Sequence, residues 1–433
     1  MQTAERASTK IGKLGRDAHQ NRATACPVNG KNQRMNFMDL KLDLKRVCNR
    51  TVRRVSFAAA LSSGIFLTGV GEATADVTLP QFTVGAGMQT SLFSCSTGCV
   101  YSDGVPHTPD GSVQGFQLDT VRLYLNGTVT DNIKMTFNTE YDGATNRIEV
   151  LDAIGRFEFS DQVNIWAGRL LPPSDRANLY GPYYANDWAP YADGVADYYP
   201  QYYTGRDNGV AYWGQFGILK VQVGVFDGRD INSAINTTAA ADAAALNATL
   251  VAAGKAPLPL PPPPGKMIYA ARLHLDFWDP EPGYYYNSTY YGEKDLLAVG
   301  VAAQSQDSKT AWSLDGLLEK KLPNLGAVTV EAEFQKDNGL NIPATNHGWY
   351  VLPAYLFPQV IGIGKVQVLG KYSQKTTDAF AAAPADKLKT AEFNLNYIIK
   401  SFNARTGLYY LNQKDDVLDT TKKEVGLKLQ LQF

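Results

Sequence analysis

The chain has 433 residues, with 41 Lys+Arg against 42 Asp+Glu and a formal charge of −1. Residues 1–75 hold 13 of the basic and 5 of the acidic residues, which leaves 28 against 37 and a net of about −9 for the remainder. An acidic remainder argues against nucleic-acid binding, which needs a basic surface.

The N-terminal region reads as an export signal that does not start at residue 1. Arg50, Arg53 and Arg54 form a basic region, Ser56 to Val70 is apolar and Ala-rich, and Ala73-Thr74-Ala75 has the small-residue spacing of a cleavage site. The expected organisation is an N-terminal extension over 1–37, a signal peptide over 38–75 cleaved after Ala75, and a barrel domain over 76–433. The extension reflects an upstream start codon, with Met38 as the true start, or a genuine cytoplasmic segment. Arg53-Arg54 only loosely resembles a twin-arginine signal, and a barrel has to cross the inner membrane unfolded. Of the four cysteines, Cys95 and Cys99 follow the signal, in Cys-Ser-Thr-Gly-Cys, and are expected to form a loop disulfide after export. A metal site is not expected, because no second Cys/His pair completes one.

After residue 75 no apolar run is long enough for a membrane helix. Alternating stretches recur instead, as Val121, Leu123, Leu125 against Arg122, Tyr124, Asn126, or Leu219, Val221, Val223, Val225 against Lys220, Gln222, Gly224. A strand puts successive side chains on opposite faces, so each stretch has one apolar and one polar face. Sixteen stretches start near 82, 115, 132, 148, 162, 206, 218, 267, 295, 310, 326, 348, 363, 388, 402 and 421. Links 93–114, 171–205, 228–266, 337–347 and 375–387 are long, whereas most links on the other side are turns such as Thr130-Asp131-Asn132. This predicts an all-β transmembrane antiparallel barrel of about sixteen strands in the outer membrane, with both termini in the periplasm. Link 279–293 breaks the rule: it is long on the short-turn side, so either strand eight runs further or the register slips there. The 24 tyrosines suit the interfacial girdles of a barrel better than a soluble sandwich core. Residues 238–254 are Ala-rich and allow a helical turn or two before the stiff run Pro261 to Pro264. The last strand runs from Val425 to Phe433 with apolar odd positions, and the terminal Phe433 is read as an assembly signal.

The runs RLYLNGTVTDNIKMTFNTEYDG from Arg122, AIGRFEFSDQVNIWAGRLLPP from Ala153 and GRDNGVAYWGQFGILKVQVGVFDG from Gly205 resemble the phosphate-selective porin O and P family. The resemblance implies a sixteen-stranded barrel, usually a homotrimer, whose third outer loop folds inward and narrows the channel. That role falls to 171–205, rich in Tyr and carrying Asp175, Asp187, Asp193 and Asp197. The basic ladders of that family's named members have no residue-by-residue match here.

The polar set of each strand faces the lumen. Early strands contribute Arg122, Lys134, Arg156, Lys220 and Arg272; later ones contribute Asp315, Glu319, Glu331, Glu333 and Glu392, with Lys365 and Lys371 between. One expectation is a transverse field, with the basic wall of strands two to eight facing the loop carboxylates; the alternative is ordinary solvated lining. The expected function is a water-filled porin passing small hydrophilic solutes or ions without cofactor, metal or catalysis. The alternatives are an anion or oligosaccharide channel, or an adhesin or structural barrel. His107, His274 and His347 are the sole histidines after the signal, His107 and His347 in expected loops, with no persuasive nucleophile beside them. Expected partners are the permeant solutes, outer-membrane lipid and lipopolysaccharide, and the barrel assembly machinery, with no nucleic acid.

Overall fold

A period of two has one consequence in a membrane wall: apolar side chains point out and polar ones in. The computed structural model describes residues 81–96, 113–143, 146–195, 205–228, 247–248, 250–251, 267–306, 308–340, 344–379, 384–417 and 419–433. Sixteen strands follow in order: β1 (Gln81–Ser96), β2 (Val113–Thr130), β3 (Ile133–Asp142), β4 (Arg147–Glu158), β5 (Asn164–Leu170), β6 (Asp207–Phe216), β7 (Leu219–Phe226) and β8 (Ile268–Asp276); then β9 (Leu296–Gln306), β10 (Lys309–Leu322), β11 (Gly326–Asn338), β12 (Thr345–Ile361), β13 (Gly364–Thr377), β14 (Asp386–Lys400), β15 (Ala404–Asp415) and β16 (Thr420–Gln432). Each pairs antiparallel with its sequence neighbours, and β1 pairs with β16 to close the barrel. The terminal residue completes the seam: Phe433 N donates to Ala86 O at 2.9 Å, and Ala86 N donates to Phe433 O at 3.2 Å. Closure matters because an unsatisfied backbone group in hydrocarbon costs several kcal/mol, and a closed sheet has no edge.

The two faces separate as the alternation requires. Val121, Leu123, Leu273, Val299, Val301 and Leu427 are exposed on the outer wall, while Arg122, Arg272, Asp315, Glu331, Lys371 and Arg405 are buried inside. Gly217 and Gly362, at φ 63° and 64°, close the short turns after β6 and β12 in a backbone region that disfavours other residues.

Two sequence expectations change. Link 277–295 is neither an extended β8 nor a slipped register, since β8 pairs with β9 without a break from Tyr269↔Ser305 to Asp276↔Ala298. The link folds into the lumen instead. His347 lies on β12 rather than in a loop. Of the Ala-rich stretch, residues 247, 248, 250 and 251 are helical, and the proline run lies outside the described residues. Residues 1–80, which include the extension and signal, also lie outside them.

Candidate functional site

The first inward segment leaves β5 at Leu170, where Pro172 and Pro173 cannot donate to a ladder. A short helix, Arg176–Tyr180, follows, capped by the Asp175 carboxylate, which accepts from Asn178 N at 2.7 Å. Burial, helped by the nearby Asp315 carboxylate, pushes the Asp175 carboxyl up to about 7 against that lowering hydrogen bond. The segment is pinned to the wall at several points. Arg272 binds Asp315 at 2.5 and 2.8 Å and also donates to Ser174 O at 3.0 Å. Lys371 pairs with Asp187 at 3.1 Å and Asp193 at 2.8 Å. Trp188 Nε1 donates to Asn396 Oδ1 at 2.7 Å, with the Arg405 guanidinium 4.1 Å from its ring.

Glycines on the inner wall make room for this loop. A Cβ on Gly87 would lie 2.6 Å from the Tyr183 ring, and one on Gly407 would lie 2.5 Å from Trp188 Nε1. Tyr183 enters that space, donates to Thr120 O at 3.2 Å and carries Arg122 over its ring at 4.9 Å.

The second inward segment, 277–295, rises from the short-turn side and meets the first. Arg176 forms a fully buried ion pair with Glu281, and its NH1 donates to Asn287 O at 2.7 Å. Tyr284 Oη donates to Leu171 O at 2.7 Å, and Ser288 N to Tyr184 O at 3.1 Å. Thr289 Oγ1 and Gly292 N both donate to Glu319 at 2.6 Å. Lys220 donates to Glu281 O and lies 4.3 Å from the centre of the Tyr286 ring. Burial alone would raise the Glu281 carboxyl, but the Arg176 guanidinium and His274 outweigh it and hold it well below the usual carboxylate range. His274 Nε2 lies 2.9 Å from Asp276 and 3.2 Å from Glu281, and the ring approaches Arg272 at 3.3 Å. These three acidic and imidazole groups could reach one metal ion, yet Glu281 is already engaged by Arg176 and Arg272 contacts the imidazole, which disfavours a cation there.

The anticipated lumen residues therefore divide. Lys220 and Arg272 face inward but are covered, at 0 and 1 % exposure. Arg122 pairs with Glu140 at 2.7 Å. Lys134 pairs with Glu158 at 2.8 Å and is a third exposed; Arg156 lies 3.5 Å from the same carboxylate and 5.5 Å from the Trp166 ring centre. The transverse arrangement is corrected: Asp187 and Asp193 turn to Lys371 on β13, Asp175 caps a helix, Arg122, Lys134, Arg156 and Arg272 find carboxylates on the wall strands, and Lys220 donates to the backbone of Glu281. An unpaired charge in a tightly filled interior is too costly, so the nearest strand supplies the partner. Asp197 lies outside the described residues. Cys95 is disulfide-bonded, and Cys99 lies outside the described residues. Phe433 is 81 % exposed at the seam.

The sequence reading missed Arg206, which pairs with Asp152 at 3.0 Å, and the whole segment 277–295. The signal for the latter was present: a long, Tyr-rich link on the side where turns are short. Among the described residues a cavity of about 390 Å³ lies at the ends of β10–β14 beside Lys321 and Lys365, and two others lie along the inner face of β1–β6. The outer one, of about 460 Å³, is lined by Asp119, Arg122, Glu140, Glu149, Arg206 and Lys428. The inner one, of about 570 Å³, is lined by Lys134, Arg156, Glu158, Trp166, Tyr284 and Tyr285.

A closed sixteen-stranded barrel with a polar lumen narrowed by an inward loop is the architecture of the outer-membrane porins. The chain is similar in structure to an anion-selective porin from Comamonas acidovorans, with 12 % identity and a TM-score of 0.50 over 82 % of this chain and 100 % of that one. It is likewise similar to OmpF of Salmonella typhi in complex with daunomycin, at 10 % identity and a TM-score of 0.50 over 82 % and 98 %. At such identities the likeness shows the fold alone. No family model and no curated protein matches the sequence.

Proposed function

We propose that the chain is an outer-membrane porin, a water-filled channel for passive diffusion of small hydrophilic solutes or ions. The observation that carries this reading is the two-sided closed wall, apolar outside and charged inside, with the loop after β5 folded into the lumen. The solute path runs along β1–β6, past Arg122, Arg206, Arg156 and Lys134, because the two cavities with charged linings on the inner face lie there. These cations are paired with carboxylates, which supports general diffusion over the strong anion selection that the resemblance to phosphate-selective porins implies. His274, locked between Arg272 and two carboxylates, supports a channel rather than an enzyme. A homotrimer, a signal cleaved after Ala75, contact with lipopolysaccharide, insertion by the barrel assembly machinery and a Cys95–Cys99 bond belong to the same reading.

Purified folded protein added to a planar bilayer should give stepwise conductance increments. A flat trace over repeated insertions of protein with heat-modifiable mobility would remove the porin reading.

A further inference from the structure

We infer that Tyr285, carried into the lumen by 277–295, forms the neck between the two cavities and selects among the solutes that pass. This inference rests on the porin reading and deepens it. Tyr285 is the middle of three consecutive tyrosines; Tyr284 and Tyr286 are each 2 % exposed, whereas Tyr285 is 36 % exposed and lines the inner cavity. The buried rings behind it fix its position, with centroids 5.2 Å away for Tyr284 and 5.7 Å for Trp166. Its phenol lies within electrostatic reach of Asp152, Arg206, Arg156 and Arg122. Two of these, Arg122 and Arg206, line the outer cavity and a third, Arg156, lines the inner one. The ring therefore stands where one cavity gives way to the other.

The chemistry of the neck follows from its charges. Lining the two cavities are Arg122, Arg206, Arg156 and Lys134, paired with Glu140, Asp152 and Glu158, with Lys134 and Arg156 sharing the one Glu158 carboxylate. A solute with one planar face and one negative charge can lay its ring on Tyr285 and its carboxylate against the arginines. Small neutral solutes gain neither contact.

The test is single-channel recording of the full mature protein in KCl with benzoate as probe. Wild-type channels should show brief benzoate blocks that acetate does not produce. Tyr285→Ala should raise conductance and abolish those blocks, while Tyr285→Phe should keep both near wild type. Tyr285→Cys should lose roughly half its conductance or more on reaction with a sulfonatoethyl methanethiosulfonate, as expected for a group added at a constriction. Tyr285→Ala channels of unchanged conductance, benzoate blocks that survive Tyr285→Ala, or a Tyr285→Cys channel indifferent to the reagent would each overturn the inference and leave the porin reading standing. Wild-type protein that never conducts would fell the porin reading itself.

Discussion

At the scale of single residues, the lumen is held together by buried charges whose removal is asymmetric. Arg176 and Glu281 are both fully buried and join the two inward segments. Deleting one partner leaves the other uncompensated, which costs about 3–5 kcal/mol, whereas an apolar pair of similar volume is close to neutral. Glu281→Gln should therefore lower the unfolding temperature of the detergent-solubilised barrel, and Arg176→Met with Glu281→Leu should restore most of the loss. The folded-state value of Glu281 is depressed, so its stabilisation is present at neutral pH and lost as pH falls below the ordinary glutamate value of about 4.3. Asp175 behaves in the opposite sense. Its value is raised to about 7, so the folded state holds a proton there that the unfolded chain releases near 3.9, and stability falls as pH rises between those values. Asp175→Asn keeps an oxygen for Asn178 N and carries no charge. The variant should match wild type near pH 4 and melt at a higher temperature at pH 8; equal melting at pH 8 would show that this carboxyl is not held neutral.

At the scale of elements, the inward loop depends on strand positions that carry no side chain. Gly407 admits Trp188, which is bonded to Asn396 and covered by Arg405. Gly407→Val overfills that contact at a cost of about 1–3 kcal/mol. The loop should lift from β14 and β15, seen as higher, noisier conductance and faster proteolysis between 171 and 195, with the barrel itself intact. The strands were legible because a period of two repeats along each of them: the start expected near 310 is Lys309, that near 326 is Gly326 and that near 363 is Gly364. Inward direction was legible for Arg122 and Arg272 for the same reason. Alternation places a residue on the inner face and says nothing of what covers it, so Lys220 and Arg272 read as open lining. Links carry no period, and the inward course of 277–295 depends on contacts such as Tyr284 with Leu171, 113 residues apart in sequence. The partner of Lys371 was illegible for that reason too, since Asp187 is 184 residues away.

At the scale of the whole molecule, charge balance along the open side sets ion selectivity. In the outer cavity Arg122, Arg206 and Lys428 meet Asp119, Glu140, Asp142 and Glu149, while Asp187 is occupied by Lys371. One negative charge remains there, and residues 76–433 carry about −9 in total. A surplus of one charge leaves a weak field of negative sign at the outer mouth, where ions enter. In a tenfold KCl gradient the reversal potential should fall on the cation side, well short of the about 59 mV of a perfectly selective channel. Screening sharpens the test: the Debye length is about 10 Å at 0.1 M and about 3 Å at 1 M, so the cation preference should shrink towards zero as both baths are raised at constant ratio. A strong anion preference, saturable by phosphate, would mean that Arg122, Arg206 and Arg156 leave their carboxylates when an anion arrives. In that case Glu140→Gln, which frees Arg122 permanently, should raise phosphate affinity; under the balance described here it moves the reversal potential towards the anion side and creates no saturable site.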